Sequence, residues 1–265
     1  EINRYLALRQ GGYGRGARQK IETDRVQILS GVRNKLTLGS PVCLMVENKD
    51  YANWEAYMSP YGADVSARRL TRVRPGHADL SGVLKYDQTD ARNILERASA
   101  RETAVRVAAG TLARMFLREL GIEVGGYVRS VAGISDDREY TFEQLANVKE
   151  SELFMPDAAL CKRAKAEIDA IKEDKDTAGG IVEIRVKGLK SGFGSCMSYG
   201  GKLDGHLAGA VMGIQAIKGV EIGLGFEAAR RRGSAVHDEI FNENGKFVRK
   251  TNNAGGIEGG MSNGE

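Results

Sequence analysis

The sequence has 265 residues, of which 42% are hydrophobic, and its 39 Lys and Arg against 35 Asp and Glu give a formal net charge of +4. This composition is typical of a soluble globular protein with a sizeable core, and it excludes a disordered tail or a fibre. The apolar runs are far shorter than the ~20 residues that cross a bilayer and the amino terminus lacks a secretory pattern, so no membrane partner is predicted.

The first half of the chain predicts two helices and one strand. Ile2, Tyr5 and Leu6 recur at a helical spacing, so the chain begins inside a helix. Residues 41–46 are apolar and predict a buried strand, and residues 51–62, which hold the only Trp, predict a loop. The strongest pattern predicts a helix over 97–121 that a glycine ends. Its apolar face is formed by Ala104, Val107, Ala108, Leu112, Met115, Phe116 and Leu120.

The second half mixes strands and helices without regular alternation. Residues 124–134 predict a strand broken by glycines, and residues 155–175 predict a helix with Pro156 near its start. In residues 181–187 apolar and charged side chains alternate, which predicts a strand with one wet face. A helix over 203–217 and a strand over VEIGLGF follow. Strands with a solvated face favour antiparallel sheets, so the predicted class is α+β.

The ends of the sequence and its cysteines predict a cytoplasmic fragment. Residue 1 is a Glu within a helical pattern, and the last residues, GGIEGGMSNGE, form a Gly-rich stretch with no element after it. Residues 1–265 are therefore expected to be a single domain that is truncated at both ends. The cysteines Cys43, Cys161 and Cys196 are widely spaced, which predicts no disulfide framework and favours a reducing compartment.

The segment RQGGYGRGARQK interleaves basic residues with glycines. Its cations are Arg9, Arg15, Arg18 and Lys20. Glycines let the backbone approach an anion closely and guanidinium groups grip phosphate or carboxylate at two points, so the segment fits an anion clamp. A solvated turn with ordinary surface arginines explains it equally well. Nucleic-acid binding also stays open, because Gly, Tyr and Arg mixtures occur in RNA-binding segments.

The segment TRVRPGHAD places a histidine among charged residues. A Pro-Gly turn after Arg74 sets His77 beside Asp79, so the imidazole is within reach of a cation and a carboxylate. Such a histidine is suited to acid catalysis, although a loop histidine is more often structural.

The segment LERASARETAVRVAAG places Arg97, Ser99, Arg101 and Glu102 at the start of the strongest predicted helix. Helix amino termini carry unpaired N–H groups and partial positive charge, so Ser and Arg at this position suit a phosphate. A capping box made by Ser99 and Glu102 is the structural alternative, and the two interpretations are compatible.

Two glycine-rich segments lie towards the carboxyl end. VEIGLGFEAARRRG matches the dinucleotide pattern G-x-G-x-x-A through Gly223, Gly225 and Ala228. It would support a nicotinamide oxidoreductase only if a βαβ unit surrounded residues 218–240, and the polar stretch after Ala229 argues against the long helix that such a unit needs. TNNAGGIEGGMSNGE offers amide and backbone donors to a flat polar ligand, or is merely a mobile loop.

Five stretches occur together in a fixed order. They are RQGGYGRGARQKIETDRVQILSGV, RPGHADLSGVLKY, ERASARETAVRVAAG, AIKGVEIGLGF and TNNAGGIEGGMSNGE. In that order they resemble the chorismate synthase family, and the resemblance covers essentially the whole sequence. Five separated motifs make the resemblance specific, whereas any single one would be weak.

The resemblance implies a fold, a reaction and a cofactor. The implied fold is a β-α-β sandwich with antiparallel sheets and core helices, assembled as a homotetramer. The implied lyase reaction is the last step of the shikimate pathway towards aromatic amino acids, a trans-1,4-elimination of phosphate from 5-enolpyruvylshikimate 3-phosphate that gives chorismate. It needs reduced FMN, supplied from outside the chain with NAD(P)H and not consumed overall. No metal and no nucleic acid is implied.

The same resemblance assigns roles to individual residues. His77 is expected to act in proton transfer near the flavin. The residues expected to bind the anionic groups of the substrate are Arg9, Arg15, Arg74 and Arg101. The residues expected to contact FMN are Arg97, Ala98, Ser99, Gln215, Ala216 and Gly259.

The sequence departs from the family pattern at both ends and at one internal position. A GESHG segment with a second catalytic histidine and a KPTPT-like flavin loop belong to the family and do not occur in these residues. Many relatives have Asn or Pro where this sequence has Gln215. We therefore expect weak FMN binding and little or no turnover from residues 1–265 alone.

Overall fold

The computed structural model describes residues 1–16, 21, 23–62 and 66–265. Among these residues, no helix is both long and apolar enough to cross a membrane. The chain divides into two compact units. The first unit comprises Glu1–Ala113, Ala132–Ile134 and Lys149–Gly179, and the second comprises Arg114–Val131, Ser135–Val148 and Gly180–Glu265. The expectation of a single domain stays a prediction.

Helices and strands are mixed along the chain, as the sequence predicts. The helices are α1 (Ile2–Gln10), α2 (Glu55–Met58), α3 (Asp79–Lys85), α4 (Arg92–Arg97), α5 (Thr103–Glu119), α6 (Ala158–Glu173) and α7 (Leu203–Met212). The strands are β1 (Val26–Ser30), β2 (Val32–Arg33), β3 (Leu36–Thr37), β4 (Cys43–Val46), β5 (Glu123–Val131), β6 (Ile134–Ser135), β7 (Gly180–Lys187), β8 (Ile240–Glu243), β9 (Lys246–Arg249), β10 (Ile257–Glu258) and β11 (Met261–Ser262).

The sheets are small and antiparallel. Strand β1 pairs with β4, β2 with β3, β5 with β7, β8 with β9, and β10 with β11, each in antiparallel register. The predicted α+β class with antiparallel sheets is therefore confirmed.

Helix α1 confirms the helix predicted at the amino terminus. Leu6 is fully buried, and Asn3 accepts a hydrogen bond from the Val26 N–H group at 2.9 Å, which ties α1 to the start of β1. The strand predicted at residues 41–46 forms as β4, but its residues alternate between exposed and half-buried. The prediction of a buried strand was wrong, because β1 and β4 form a two-stranded ribbon in the described part of the chain.

The helix predicted over residues 97–121 begins later than predicted, as α5 at Thr103, because a break and a 3₁₀ turn precede it. Helix α4 ends at Arg97, and Ser99 adopts an extended conformation with ψ of 135° before a 3₁₀ turn leads into α5. Gly121 ends the segment with a φ of +76°, as predicted. Ala104 and Ala108 are buried, whereas Phe116 and Leu120 at the far end of the predicted apolar face are mostly exposed.

Two further predictions in the first unit have different outcomes. The helix predicted over residues 155–175 forms as α6, which begins after Asp157, whose side chain accepts a hydrogen bond from the Leu160 N–H group at 2.7 Å. The loop predicted over residues 51–62 was partly wrong, because it contains the end of a 3₁₀ turn, Lys49–Asn53, and helix α2. Trp54 lies between these two short elements and donates to Asp50.

Strand β7 forms where predicted, but its faces are reversed. Val182, Ile184 and Val186 are exposed, while the charged Glu183 and Arg185 are half-buried. The charged face is covered within the second unit: Glu183 accepts hydrogen bonds from Arg129 on β5 at 2.5 Å and from Arg185 at 2.6 Å. The predicted strand with one wet face thus forms, but the apolar face is the exposed one, because ion pairs cover Glu183 and Arg185.

The carboxyl-terminal glycine motif has no dinucleotide-binding structure. Helix α7 ends at Met212, five residues before the predicted end at 217, and the predicted strand VEIGLGF is a turn followed by a 3₁₀ helix, Gly225–Arg230. Gly223 has a φ of +60°, and a β-carbon there would lie 2.1 Å from the Asn253 carbonyl oxygen. The glycine thus permits close backbone packing. The βαβ unit required by the nicotinamide interpretation is not formed by residues 218–240.

Candidate functional site

A buried aspartate in the first unit joins two of the predicted substrate-binding arginines. Arg101 donates from Nη1 to Asp24 Oδ2 at 2.5 Å and from Nη2 to Asp24 Oδ1 at 2.7 Å, a two-point ion pair. Arg9 Nη1 lies 3.6 Å from the same Oδ2. We name Arg9, Asp24 and Arg101 the Asp24 cluster. Two cations and one anion leave it with one net positive charge.

Both arginines of the Asp24 cluster are also held by the polypeptide around them. Arg9, in the last turn of α1, donates from Nε to Thr103 Oγ1 at 3.0 Å and from Nη2 to the Ala100 carbonyl at 3.3 Å. Arg101 donates to the Glu47 carbonyl at 3.0 Å. The cluster therefore fixes three distant segments of the first unit against one another.

Beside this cluster lies a pocket of about 240 Å³. Its wall contains Arg97 and Ser99, both predicted to contact FMN, and Arg101, predicted to bind the substrate. The Ser99 side chain accepts a hydrogen bond from the Arg101 N–H group at 3.2 Å, so it caps the 3₁₀ turn Ala100–Glu102. The wall also carries the carboxylates of Glu96 and Glu102.

The capping box predicted for this turn forms only in part. Ser99 caps the turn as predicted, but Glu102 pairs with Arg106 on α5, with Oε2 at 2.8 Å from Nε. Ala98, which separates Arg97 from Ser99, is half-buried, and its N–H group bonds to the Ile94 carbonyl at the end of α4. The backbone of residues 97–99 is thus set by helix α4 on one side and by the serine cap on the other.

A second buried aspartate organises the predicted catalytic histidine. His77 Nδ1 lies 2.5 Å from Asp79 Oδ1. Arg74 donates to Asp79 from Nε at 2.9 Å, from Nη2 at 3.1 Å and from its backbone N–H group at 3.1 Å. Its Nη2 is also 3.0 Å from both ring nitrogens of His77. We name Arg74, His77 and Asp79 the Asp79 cluster.

The local sequence explains why the Asp79 cluster forms. Gly76 has a φ of +68° in the turn before α3, and Asp79 is the first residue of that helix. The hydrogen bonds from Arg74 hold the pKa of the Asp79 carboxyl well below its usual range despite burial. In turn, the bonds to Asp79 raise the pKa of Arg74, and the negative charge of Glu96 raises it further.

The glycine-rich segment near the amino terminus is tied to the first unit through its tyrosine. Tyr13 donates its hydroxyl to Asp169 on α6 at 2.5 Å, and its N–H group bonds to the Glu152 carbonyl at 3.2 Å. Gly14 has a φ of +76°, and a β-carbon there would lie 2.9 Å from Ile168. Arg15 is exposed. Arg18 and Lys20, the other cations of the predicted anion clamp, lie outside the described residues.

The remaining predicted flavin contacts belong to the second unit. Gln215 is half-buried and Ala216 is exposed, with a φ of +67°. Gly259 and Gly260, with φ of +60° and +86°, form the two-residue turn between β10 and β11.

The TNNAGG segment of the second unit is fixed by a further buried aspartate. Asp238 accepts hydrogen bonds from the Thr251 hydroxyl at 2.5 Å and from the N–H groups of Asn253 and Ala254 at 2.8 and 2.9 Å. Burial raises the pKa of Asp238, but these hydrogen bonds outweigh it, so the pKa lies below its ordinary value. The segment is a hydrogen-bonded loop held at its start.

Sequence reasoning missed Asp24, Glu96 and Asp238 as members of these arrangements. The sequence pattern around Asp24 does not mark it as a functional residue, because a single aspartate before a strand is common. Its role becomes visible only from its ion pairs with two arginines that are distant in sequence. The sequence did predict that Asp79 lies beside His77, because the partners of Asp79 are only two and five residues away.

Comparisons with known proteins are consistent along the whole chain. The family model described as chorismate synthase matches residues 1–265. A chorismate synthase of Alkaliphilus metalliredigens is 54% identical over 267 residues, covering 100% of this chain and 70% of that protein. One from Geobacter sulfurreducens is 56% identical over 277 residues with the same coverages.

The solved structures agree with the sequence relatives. A structure titled "Crystal Structure of Chorismate Synthase" matches with a TM-score of 0.80 at 41% identity, and the match covers 99% of this chain and 72% of that one. The family model and the relatives, at more than half identity and over two thirds of their length, lead to one conclusion. The chain belongs to the chorismate synthase family.

Proposed function

We propose that the two clusters of the first unit serve the lyase reaction of this family, the trans-1,4-elimination of phosphate from 5-enolpyruvylshikimate 3-phosphate to give chorismate. The elimination removes a proton, breaks a carbon–oxygen bond to phosphate and forms a new double bond. The protein must therefore bind a multiply anionic ring, accept or relay a proton, and hold the phosphate as it leaves.

The Asp24 cluster is suited to bind the anionic substrate. It keeps one net positive charge, and its Arg101 lines the pocket. Arg15 is exposed near the end of the same glycine-rich segment as Arg9 and contributes further positive charge. Asp24 occupies the two-point fork of Arg101, so it is the net positive charge of the cluster that suits a substrate with one phosphate and two carboxylates.

His77 is the residue suited to move the proton. An ionised Asp79 can only accept hydrogen bonds, so the neutral His77 tautomer that bonds to it carries its proton on Nδ1. In that tautomer Nε2 accepts from Arg74 Nη2 and is the nitrogen at which a proton is gained or lost. Arg74 thus has its charge balanced by Asp79, and its contribution to substrate binding is expected to be smaller than that of Arg101.

The residues around Ser99 fit one part of FMN, its phosphate. The pocket offers the Ser99 hydroxyl and the cation Arg97, while Arg101 in the same wall is assigned to the substrate. Its volume of about 240 Å³ is below the roughly 300 Å³ at which small-molecule pockets begin, so it suits a phosphate group rather than a whole flavin. Ala98, Gln215, Ala216 and Gly259 are the other residues that we expect to contact FMN. When bound in reduced form, FMN supplies electron density transiently as the carbon–oxygen bond breaks.

The proposal extends to the conditions under which the protein works. Reduced FMN is expected to come from a separate reductase that uses NAD(P)H, in the cytoplasm. The assembly is expected to be a homotetramer, as the family resemblance implies. Size-exclusion chromatography with light scattering measures the assembly directly, and a monomer at micromolar concentration would contradict it.

One observation carries the proposal: Arg9 and Arg101, assigned to the substrate from separate motifs, meet at Asp24 beside the pocket that Ser99 lines. The test is a difference spectrum of reduced FMN with protein of known intact mass, recorded with and without 5-enolpyruvylshikimate 3-phosphate, followed by a chorismate assay. We expect a spectral change that depends on substrate and is lost in Arg101→Ala. Arg138→Ala, which alters an ion pair of the second unit, serves as the control. A spectrum that the protein leaves unchanged would contradict the proposal.

A further inference from the structure

Asp24 occupies an unusual position for a carboxylate. It lies just before β1, its side chain is 1% exposed, and both of its oxygens are bonded to Arg101. Arg9 approaches the same Oδ2 from α1. Burying a charge is costly unless a partner is held in good geometry, and here two partners from distant segments share one anion.

The arrangement controls where the two guanidinium groups point. Like charges repel at this separation, so without a carboxylate between them Arg9 and Arg101 would be driven apart. The two-point bond also fixes the plane of the Arg101 guanidinium group, which a single contact would leave free to rotate. Asp24 thus determines the orientation of a cation in the pocket wall.

We propose that Asp24 is a positioning residue for anion binding, acting on the substrate through Arg101 and Arg9. This inference rests on the proposed function, because it assumes that these arginines bind 5-enolpyruvylshikimate 3-phosphate. It is distinct from a purely structural role, in which Asp24 would stabilise the fold without affecting ligand affinity.

Asp136 of the second unit provides a matched control. Its side chain is 1% exposed, as that of Asp24 is, and it accepts hydrogen bonds from Arg138 at 2.8 Å and from the Tyr140 hydroxyl at 2.7 Å. Asp136 lies outside the pocket wall and outside both clusters. Replacing either aspartate by asparagine removes one buried charge that is paired with arginine, but Arg138 is 54% exposed, so the structural damage at Asp136 should be the smaller of the two.

The experiment is calorimetric titration of the full chain with 5-enolpyruvylshikimate 3-phosphate, alongside a thermal melt of each variant. We expect Asp24→Asn to raise the dissociation constant of the substrate about tenfold. We expect Asp136→Asn to lower Tm by less, because water can solvate Arg138, while its dissociation constant stays within about twofold of the parent. An Asp24→Asn variant that binds as tightly as the parent would overturn the inference.

Two further variants keep the inference testable if Asp24→Asn is poorly folded. Asp24→Glu keeps the charge but moves the carboxylate by one methylene, so we expect Tm to recover while the affinity stays lowered. Recovery of both together would indicate a counter-ion that only stabilises the fold, and would overturn the inference. In a double-mutant cycle, Asp24→Asn and Arg101→Lys should be strongly non-additive in affinity, and additive effects would also count against it.

The design separates this inference from the proposed function. If the parent protein fails to bind the substrate at all, the assignment of the site is wrong and the inference falls with it. If the parent binds and only Asp24→Asn fails to change the affinity, the site stands and the positioning role does not.

Discussion

The Asp24 and Asp79 clusters each pair a buried carboxylate with arginine, but they differ in how exposed the partners are and how far apart they lie in the sequence. Each is built around an aspartate whose side chain is 1% exposed and which holds at least one arginine in a two-point contact. In the Asp24 cluster the arginine side chains are 14% and 15% exposed and come from distant segments. In the Asp79 cluster Arg74 is 48% and His77 is 27% exposed, and both lie within five residues of the aspartate.

The difference lies in how strongly each cluster depends on its central charge. A cluster that joins distant segments excludes water from its cations and depends strongly on its central charge. A cluster made within one turn leaves its cation and imidazole partly in water, where they can exchange protons and rearrange. We therefore expect the two clusters to respond differently to the same substitutions.

The largest expected difference is in stability. Asp24→Ala leaves two largely buried arginines without their carboxylate and should lower the free energy of unfolding by about 3–5 kcal/mol. Asp79→Ala leaves a half-exposed arginine that water can solvate, so its cost should be about 1–2 kcal/mol. Urea denaturation followed by circular dichroism measures both. Equal losses in the free energy of unfolding would show that the exposure of the arginine partners does not determine how much each aspartate stabilises the fold.

Removal of the imidazole tests the chemical role of the Asp79 cluster. His77→Ala should lower the small turnover expected of the parent by about 100-fold or more, the usual contribution of a positioned proton donor or acceptor, with little change in substrate affinity. Steady-state chorismate production and calorimetric titration give the two quantities. A loss of affinity at unchanged rate would instead assign His77 to binding.

Conservative replacement of the arginines compares the clusters as anion binders. Arg101→Lys loses the two-point fork and should weaken substrate binding by about tenfold, whereas Arg74→Lys should weaken it by about threefold or less because Asp79 already balances the charge of Arg74. Calorimetric titration of both variants under identical buffer measures the ratio. A larger effect at Arg74 would reverse the assignment of the two clusters.

The smallest expected effect is a dependence of stability on pH. Because the pKa of Asp79 is lower in the folded protein than in the unfolded chain, its stabilisation is complete above about pH 4 and is lost as pH falls towards the folded pKa. Asp79→Asn should therefore lose stability less steeply than the parent below about pH 4, by about 1 kcal/mol after allowing for the exposure of Arg74. Urea denaturation at a series of acid pH values measures the slopes, and parallel slopes would contradict the prediction.

Local patterns in the sequence predicted the elements that depend on neighbouring residues. The helices α1 and α6 and strands β5 and β7 lie where their periodicity indicates, and Gly121 ends the α5 segment with a positive φ. The association of His77 with Asp79 was visible for the same reason, because a Pro-Gly turn brings residues two to five positions apart into contact.

Patterns whose outcome depends on distant residues were the ones that failed. Period-two alternation shows that the faces of β7 differ, but it cannot say which face is covered. The segment that carries Glu139 and Tyr140 decides this by pairing with Arg185. Likewise, the glycines of VEIGLGF gave no sign that the backbone of Asn253 would pack against them, which is why a turn forms where a strand was predicted.

The sequence by itself determined the α+β class, the positions of the main helices and the family, and it named the cationic residues that we propose bind the substrate. Only the tertiary structure decided that Asp24 joins Arg9 to Arg101, beside the pocket that Ser99 and Arg101 line. The physical reason is range: periodicity, capping and turns act over a few residues, whereas an ion pair between distant segments exists only once the chain has folded.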